Sequence, residues 1–139
     1  PSSLGAKEAV PAVAFFDLET ALADVALAKE VADIVIVSFH WGEEYKTTSN
    51  NYQKSVGRAL VHAGADLIVG HHPHVVQEVE KYENGFIAYS LGNFVFDQNF
   101  SEETMEGLAL KVTVKDKKIE SVTEIKVKIN ETFQPFIDN

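Results

Sequence analysis

Three histidines stand where two apolar runs end, and their type and placement point to metal chemistry. Ile34 to Phe39 is apolar and β-branched and leads into His40-Trp41-Gly42-Glu43-Glu44-Tyr45, while Leu67 to Val69 leads into Gly70-His71-His72-Pro73-His74. Neutral imidazole is the commonest protein ligand for metal ions. Proline biases the residue before it toward extended backbone, so His72 and His74 are expected to project to one side, as residues two apart on a strand do. Such a pair can serve one ion or bridge two. A bare His-Pro-His would suit a solvated turn equally well, and a further histidine at the end of the neighbouring run is what favours a metal. His40 alone would more often be a core or cap residue. Gly42 permits close backbone approach, the Trp41 indole can wall off a site, and Glu43 and Glu44 bring carboxylates, at least one of them expected to be merely solvated. His71 is expected to point away from the site, either supporting the ligands or exposed. His62 falls inside a helical stretch and reads as structural.

The elements around these residues must bring the two groups together. A helical pattern lies between the apolar runs, so the segment reads as strand, crossover helix, strand, with the strands parallel and close in one sheet. Both histidine groups then emerge at the carboxyl edge of the sheet, where open α/β folds bind ligands, on strands about 5 Å apart. Val13 to Phe16 is expected as a short strand, followed by Leu18, Leu22, Val25, Ala28 and Ala32 on one helix face. Ser49, Asn50 and Asn51 supply cap chemistry for a second helix with Tyr52, Val56, Ala59, Leu60 and Ala63 inward and Gly64 as its stop. Val75 to Tyr82 and Phe86 to Ser90 flank Glu83-Asn84-Gly85, a hairpin signal, and Leu108 to Val114 and Ile119 to Val127 flank a second at Asp116-Lys117-Lys118. Lys111, Lys115, Lys117, Lys118, Lys126 and Lys128 read as a solvated edge protecting a strand rather than a binding patch. In Ser90 to Asp97, Gly92 suggests a tight turn, and Asn93 and Asp97 are polar groups among aromatics. On the residues alone that segment is a β-turn with a hydrophobic staple. The fold class is α/β: a β-α-β-α-β half-sheet followed by antiparallel strands.

The 139 residues, 45% of them hydrophobic, suffice for one domain spanning 1–139 with a real core. No apolar run approaches the roughly 20 residues of a membrane span, and nothing at the start resembles a signal peptide. With Pro1 first and Met105 the only methionine, the chain reads as an excised or processed piece. The absence of cysteine excludes disulfides and thiolate metal sites. A formal charge of −9 argues against nucleic acid or an anionic membrane as partner, and an anionic substrate would need locally bound cations.

Taken together, His-Trp-Gly-Glu-Glu-Tyr at 40–45, Gln53, Gly-Ala-Asp-Leu-Ile-Val-Gly-His-His-Pro-His-Val-Val-Gln at 64–77, Glu80 and Tyr-Ser-Leu-Gly-Asn-Phe-Val-Phe-Asp at 89–97 resemble the bacterial capsule-synthesis CapA (poly-γ-glutamate synthesis) family. That family looks like a branch of the calcineurin-like metallophosphoesterases, and the resemblance runs from Val13 onward. It implies that His40 is the isolated histidine ligand after a central strand. It further implies that His72 and His74 are the catalytic metal ligands of a Gly-His-x-His motif carrying one inserted residue. His40 and His72 would share one ion and His74 would hold the other. Trp41, Glu44, Tyr45, Asn93 and Asp97 would line the substrate pocket. Between Glu44-Tyr45 and Gln53 this chain lacks the proline common in the family, and the amino-terminal half of the fold, with its carboxylate and remaining ligands, is missing. By resemblance the intact protein is a membrane-anchored, extracytoplasmic hydrolase with two divalent ions (Mn, Fe or Zn), acting on a phosphoester or an anionic γ-glutamyl polymer. The alternative is a non-catalytic extracytoplasmic module that binds or exports the polymer. The piece itself is expected to bind metal weakly, to be inactive alone, and to pair with its missing half or a second copy.

Overall fold

Local chemistry starts and stops the two helices. A computed structural model describes residues 15–137. Helix α1 (Leu18–Val31) opens at Asp17, whose carboxylate accepts the Thr20 backbone N–H at 2.8 Å. Val25 is buried, with Leu22 and Ala28 packed against the core beside it. Helix α2 (Asn51–His62) begins with a reciprocal capping box between Asn50 and Gln53, and Gly64 follows its end at φ +119°, the left-handed stop that the sequence suggested. The buried face of α2 differs from the apolar stripe. Val56 and Leu60 are inside as expected, but Tyr52 is 55% exposed, and Gln53, Gly57 and Val61 are buried instead. The cause is close packing at Gly57, where a Cβ would lie 3.2 Å from Ile87 and 3.3 Å from Trp41.

Strands β1 (Ile36–His40), β2 (Leu67–His71), β3 (Val79–Tyr82) and β4 (Gly85–Ala88) form one sheet in the order β1-β2-β4-β3. β1, β2 and β4 are parallel, and β3 closes the far edge antiparallel to β4. The register aligns Val37 with Ile68 and Ile68 with Ile87, which places all three on the face that the helices cover. The β3–β4 turn is Glu83-Asn84, with Glu83 at φ +47°, rather than Asn84-Gly85. Gly85 instead opens β4, because a Cβ there would lie 2.8 Å from Val61 and 2.9 Å from the Ala65 carbonyl oxygen.

A second sheet contains β5 (Glu106–Lys115), β6 (Lys118–Ile129) and the unforeseen β7 (Pro135–Ile137), all antiparallel. Asp116 and Lys117, both at positive φ, make the β5–β6 turn in the sense that suits strand twist. The hairpin is tied to the first sheet at its base by Leu108 N–H donating to the Leu91 carbonyl (2.8 Å), and at its tip by Lys117 to Asp33 (3.2 Å). Leu67, Phe86 and Ala88, on the sheet face away from the helices, are buried too. The result is a mixed α/β arrangement of two sheets and two helices. The first expected strand is not among the described elements: Val13 and Ala14 lie outside the described residues, and Phe15 to Asp17 are irregular. Among the described residues β1 therefore has a strand on one side only, and its Ile36 is 59% exposed.

Candidate metal centre

The parallel pairing of β1 with β2 sets His40 beside His71, so both histidine groups leave the sheet at the same edge. Beyond the strands the two loops remain zipped. Trp41 N–H donates to the His71 carbonyl at 3.0 Å, and Tyr45 N–H donates to the Pro73 carbonyl at 2.8 Å. This brings the imidazoles of His40 and His72 to 4.6 Å and those of His72 and His74 to 6.2 Å between ring centres. His40 is exposed and the other two are half-buried.

The route to that convergence differs from strand alternation. His72 has φ +100° and His74 φ +60°, so neither is extended. They flank a fully buried Pro73 in a turn, and the β2 ladder ends at His71. Tyr45, opposite Pro73, is left-handed as well at φ +61°. Left-handed backbone at residues other than glycine costs on the order of 1 kcal/mol or more each and gathers at functional sites. Behind the turn, a Cβ on Gly70 would run into the Tyr89 carbonyl oxygen and Trp41 Nε1. Only glycine lets β2 pass there.

Asn93 orients one of the rings. Its Oδ1 lies 2.9 Å from His74 Nδ1, while its Nδ2 donates to the Thr104 carbonyl at 2.9 Å. With the amide nitrogen committed to Thr104, the oxygen must face the imidazole, so Nδ1 carries the proton and Nε2 is left with its lone pair outward. This is how ligating histidines are held in metalloproteins. Asn93 is itself 5% exposed, and a Cβ on Gly107 would collide with its carbonyl. His40 is held below the usual imidazole range, first by partial desolvation at the end of β1 and then by repulsion from the His72, His71 and His74 rings, which favours the neutral, ligating form.

The remaining residues fall into place around this centre. One oxygen of Glu44 and one nitrogen each of His72 and His74 lie within 4.8 Å of one another. The Tyr45 ring stands 6.1 Å from that of His74 and 5.0 Å from Phe100, and Phe96 is 5.1 Å from His74, so aromatics shield the second histidine. Trp41 is 6% exposed, donates its Nε1–H to the Tyr89 carbonyl at 2.9 Å, and lines with His40 a cavity of about 230 Å³. Asp97 is exposed, on the loop that carries Phe96. Glu43 only accepts a long 3.4 Å bond from Asn50, and His71 is exposed. His62 is a surface residue 3.5 Å from Glu83.

A buried amide network that sequence reasoning left without a role fastens the Trp41–Asn50 loop. Gln53 Nε2 donates to Gln77 Oε1 at 2.8 Å, and Gln77 Nε2 donates to the Lys46 carbonyl at 2.8 Å. Gly42, at φ +90°, must lack a Cβ because the Gln53 amide would lie 2.8 Å from it. Ser49 adds two bonds to Glu78. Gln53 stands among Asn50, Asn51, Lys54 and Ser55 and Gln77 before Glu78, so the available signal was only the capping-box spacing of Asn50 and Gln53.

Residues 1–98 match the family described as bacterial capsule synthesis protein PGA_cap. The chain is 49% identical over 96 residues to the PGA biosynthesis protein CapA of Bacillus subtilis, covering 69% of this chain and 25% of that protein. It is 56% identical over 70 residues to the capsule biosynthesis protein CapA of Bacillus anthracis, covering 50% and 17%. A probable polyglutamine synthesis accessory protein of Mycobacterium tuberculosis is 33% identical over 75 residues, covering 54% and 20%. The chain thus spans a quarter or less of these relatives. The histidine turn, the Trp41 loop and the Asn93 segment all fall within the matched residues, and the chain belongs to the bacterial capsule synthesis protein family.

Proposed function

We propose that this chain is the carboxyl-terminal part of a metallophosphoesterase-like, metal-dependent hydrolase that acts in the synthesis of an anionic capsule polymer such as poly-γ-glutamate. The observation that carries the reading is the convergence of His40, His72 and His74 from the carboxyl ends of two adjacent parallel strands. The donor set fits a divalent ion: His74 offers an outward Nε2, His40 is biased to the neutral form, and imidazole with oxygen suits Mn, Fe or Zn. Such an ion supplies Lewis acidity, lowering the pKa of water and neutralising an anionic substrate.

The chain's own residues hold and orient. His40, His72 and His74 bind. Asn93 fixes the His74 ring, and Tyr45 and Phe96 pack against it, with Phe100 set edge-on to Tyr45. Glu44, Tyr45 and Asp97, all exposed, are assigned to the substrate side, and Trp41 lines the adjoining cavity with His40. A second ion and its carboxylate ligand would come from the amino-terminal half of the protein or from another copy, covering β1. We take the intact protein, by its family resemblance, to act outside the cytoplasm on a membrane anchor; no helix among the described residues is long and apolar enough to cross a membrane.

The test is metal stoichiometry and turnover by the intact protein on a generic phosphodiester and on poly-γ-glutamate, with and without chelator. Two ions and chelator-sensitive hydrolysis that His72→Ala abolishes are expected. Hydrolysis of neither substrate with any divalent ion, or full activity in His72→Ala, would refute the hydrolase and leave a polymer-handling module.

A further inference from the structure

We infer that this chain carries a three-ligand cation site of its own, in which Glu44 is a metal ligand together with His72 and His74 rather than part of a pocket wall. The inference deepens the metal reading above and rests on it. Three donor atoms, one from each residue, already lie within 4.8 Å of one another. Three ligands held at about 2.1 Å from one tetrahedral ion lie about 3.4 Å apart, so closure draws the most distant pair together by at most about 1.4 Å. Glu44 is exposed and its side chain can supply that movement.

Two further features show that this arrangement is built. The Tyr45 N–H bond to the Pro73 carbonyl fixes the backbone next to Glu44 against the residue between the two histidines. Glu44 is thereby paired with the turn by main-chain geometry, whatever its side chain does. Independently, Asn93 occupies His74 Nδ1, so the ligating atom of His74 is assigned before any ion arrives. Two imidazoles and one carboxylate form a set that binds Mn(II), Fe(II), Co(II) or Zn(II) and leaves coordination positions open. This assigns His72 and His74 to one ion, where the family resemblance gives His72 to the ion of His40 and His74 to the other; His40, its ring centre 4.6 Å from that of His72 and outside the trio, remains available for a second ion.

The test is titration of the 139-residue chain with cobalt(II) chloride, read by calorimetry and by the visible d–d absorption of the bound ion. Glu44→Gln should weaken binding at least tenfold and change the spectrum. His74→Ala should do the same, and His62→Ala, on the surface of α2, should match the parent. Circular dichroism should show Glu44→Gln folded, as the exposure of Glu44 leads us to expect. Parent-like affinity and spectrum in Glu44→Gln overturn the inference. If His40→Ala then loses binding, the histidine-only metal reading survives without Glu44. Failure of the parent chain to take up cobalt also overturns it, and cobalt binding by the intact protein through His72 would show that the broader reading stands regardless.

Discussion

Replacing Asn93 by alanine separates the orientation of His74 from metal binding, because its first effect needs no metal. The side chain makes two bonds at 2.9 Å, accepting at His74 Nδ1 and donating to the Thr104 carbonyl. A neutral hydrogen bond contributes about 1 kcal/mol net, or about a fivefold bias toward the Nδ1–H tautomer of His74. Losing the donor to Thr104, a residue with no exposed surface, leaves a buried carbonyl unpaired at a cost of about 1 to 3 kcal/mol. Long-range proton–nitrogen NMR of the metal-free chain at pH 8 reads the tautomer directly. The parent should show His74 protonated at Nδ1, and Asn93→Ala should move most of the population to Nε2–H. Metal affinity should then fall about 10- to 100-fold, the usual effect of removing such a support. Asn93→Asp keeps an acceptor for the ring and loses the donor, so it should keep the tautomer while still lowering the urea midpoint. A parent His74 protonated at Nε2, or an unchanged tautomer in Asn93→Ala, would refute the argument.

Gly70→Ala should be severely destabilising, because its Cβ runs into the Tyr89 carbonyl and the indole nitrogen bonded to it; a urea midpoint within error of the parent would contradict the packing. Gln53→Ala should lower stability by about 1 to 3 kcal/mol by leaving Gln77 and the Asn50 N–H without their buried partner, measured by chemical denaturation. Burial pushes the Glu80 carboxyl up, but hydrogen bonds from Arg58 and Tyr89 outweigh it and hold the pKa below the ordinary 4.5. A depressed carboxylate stabilises the fold above its unfolded pKa and loses that contribution as pH falls through the folded value, so stability should drop below about pH 4.5. Glu80→Gln should flatten that acid limb in urea titrations at pH 7, 5 and 3.5.

What the sequence determined by itself was most of what depends on neighbours along the chain, the Glu83-Asn84 turn being one local exception. Hydrophobic periodicity located both helices and both central strands, and Asn50, Gly64 and the Asp116-Lys117 turn are cap and turn chemistry acting within a few residues. A crossover helix between two apolar strands allows in practice one pairing, so the meeting of His40 with the His72-Pro73-His74 group was legible in the sequence. The tertiary structure decided what depends on residues far apart. Proline alone argued for extended backbone at His72, but burial of Pro73 and its bond to Tyr45, 28 positions earlier by number, fold the segment into a turn of left-handed histidines. Asn93 read as a loop polar residue because its partner ring is 19 positions away. Trp41 Nε1 donates to a carbonyl 48 positions on, a partner that no local pattern reveals. Periodicity registers only which side chains avoid water. It is silent on polar groups such as Gln53 and Gln77 that are buried because they satisfy each other, and those are the groups that set the loops around the histidines.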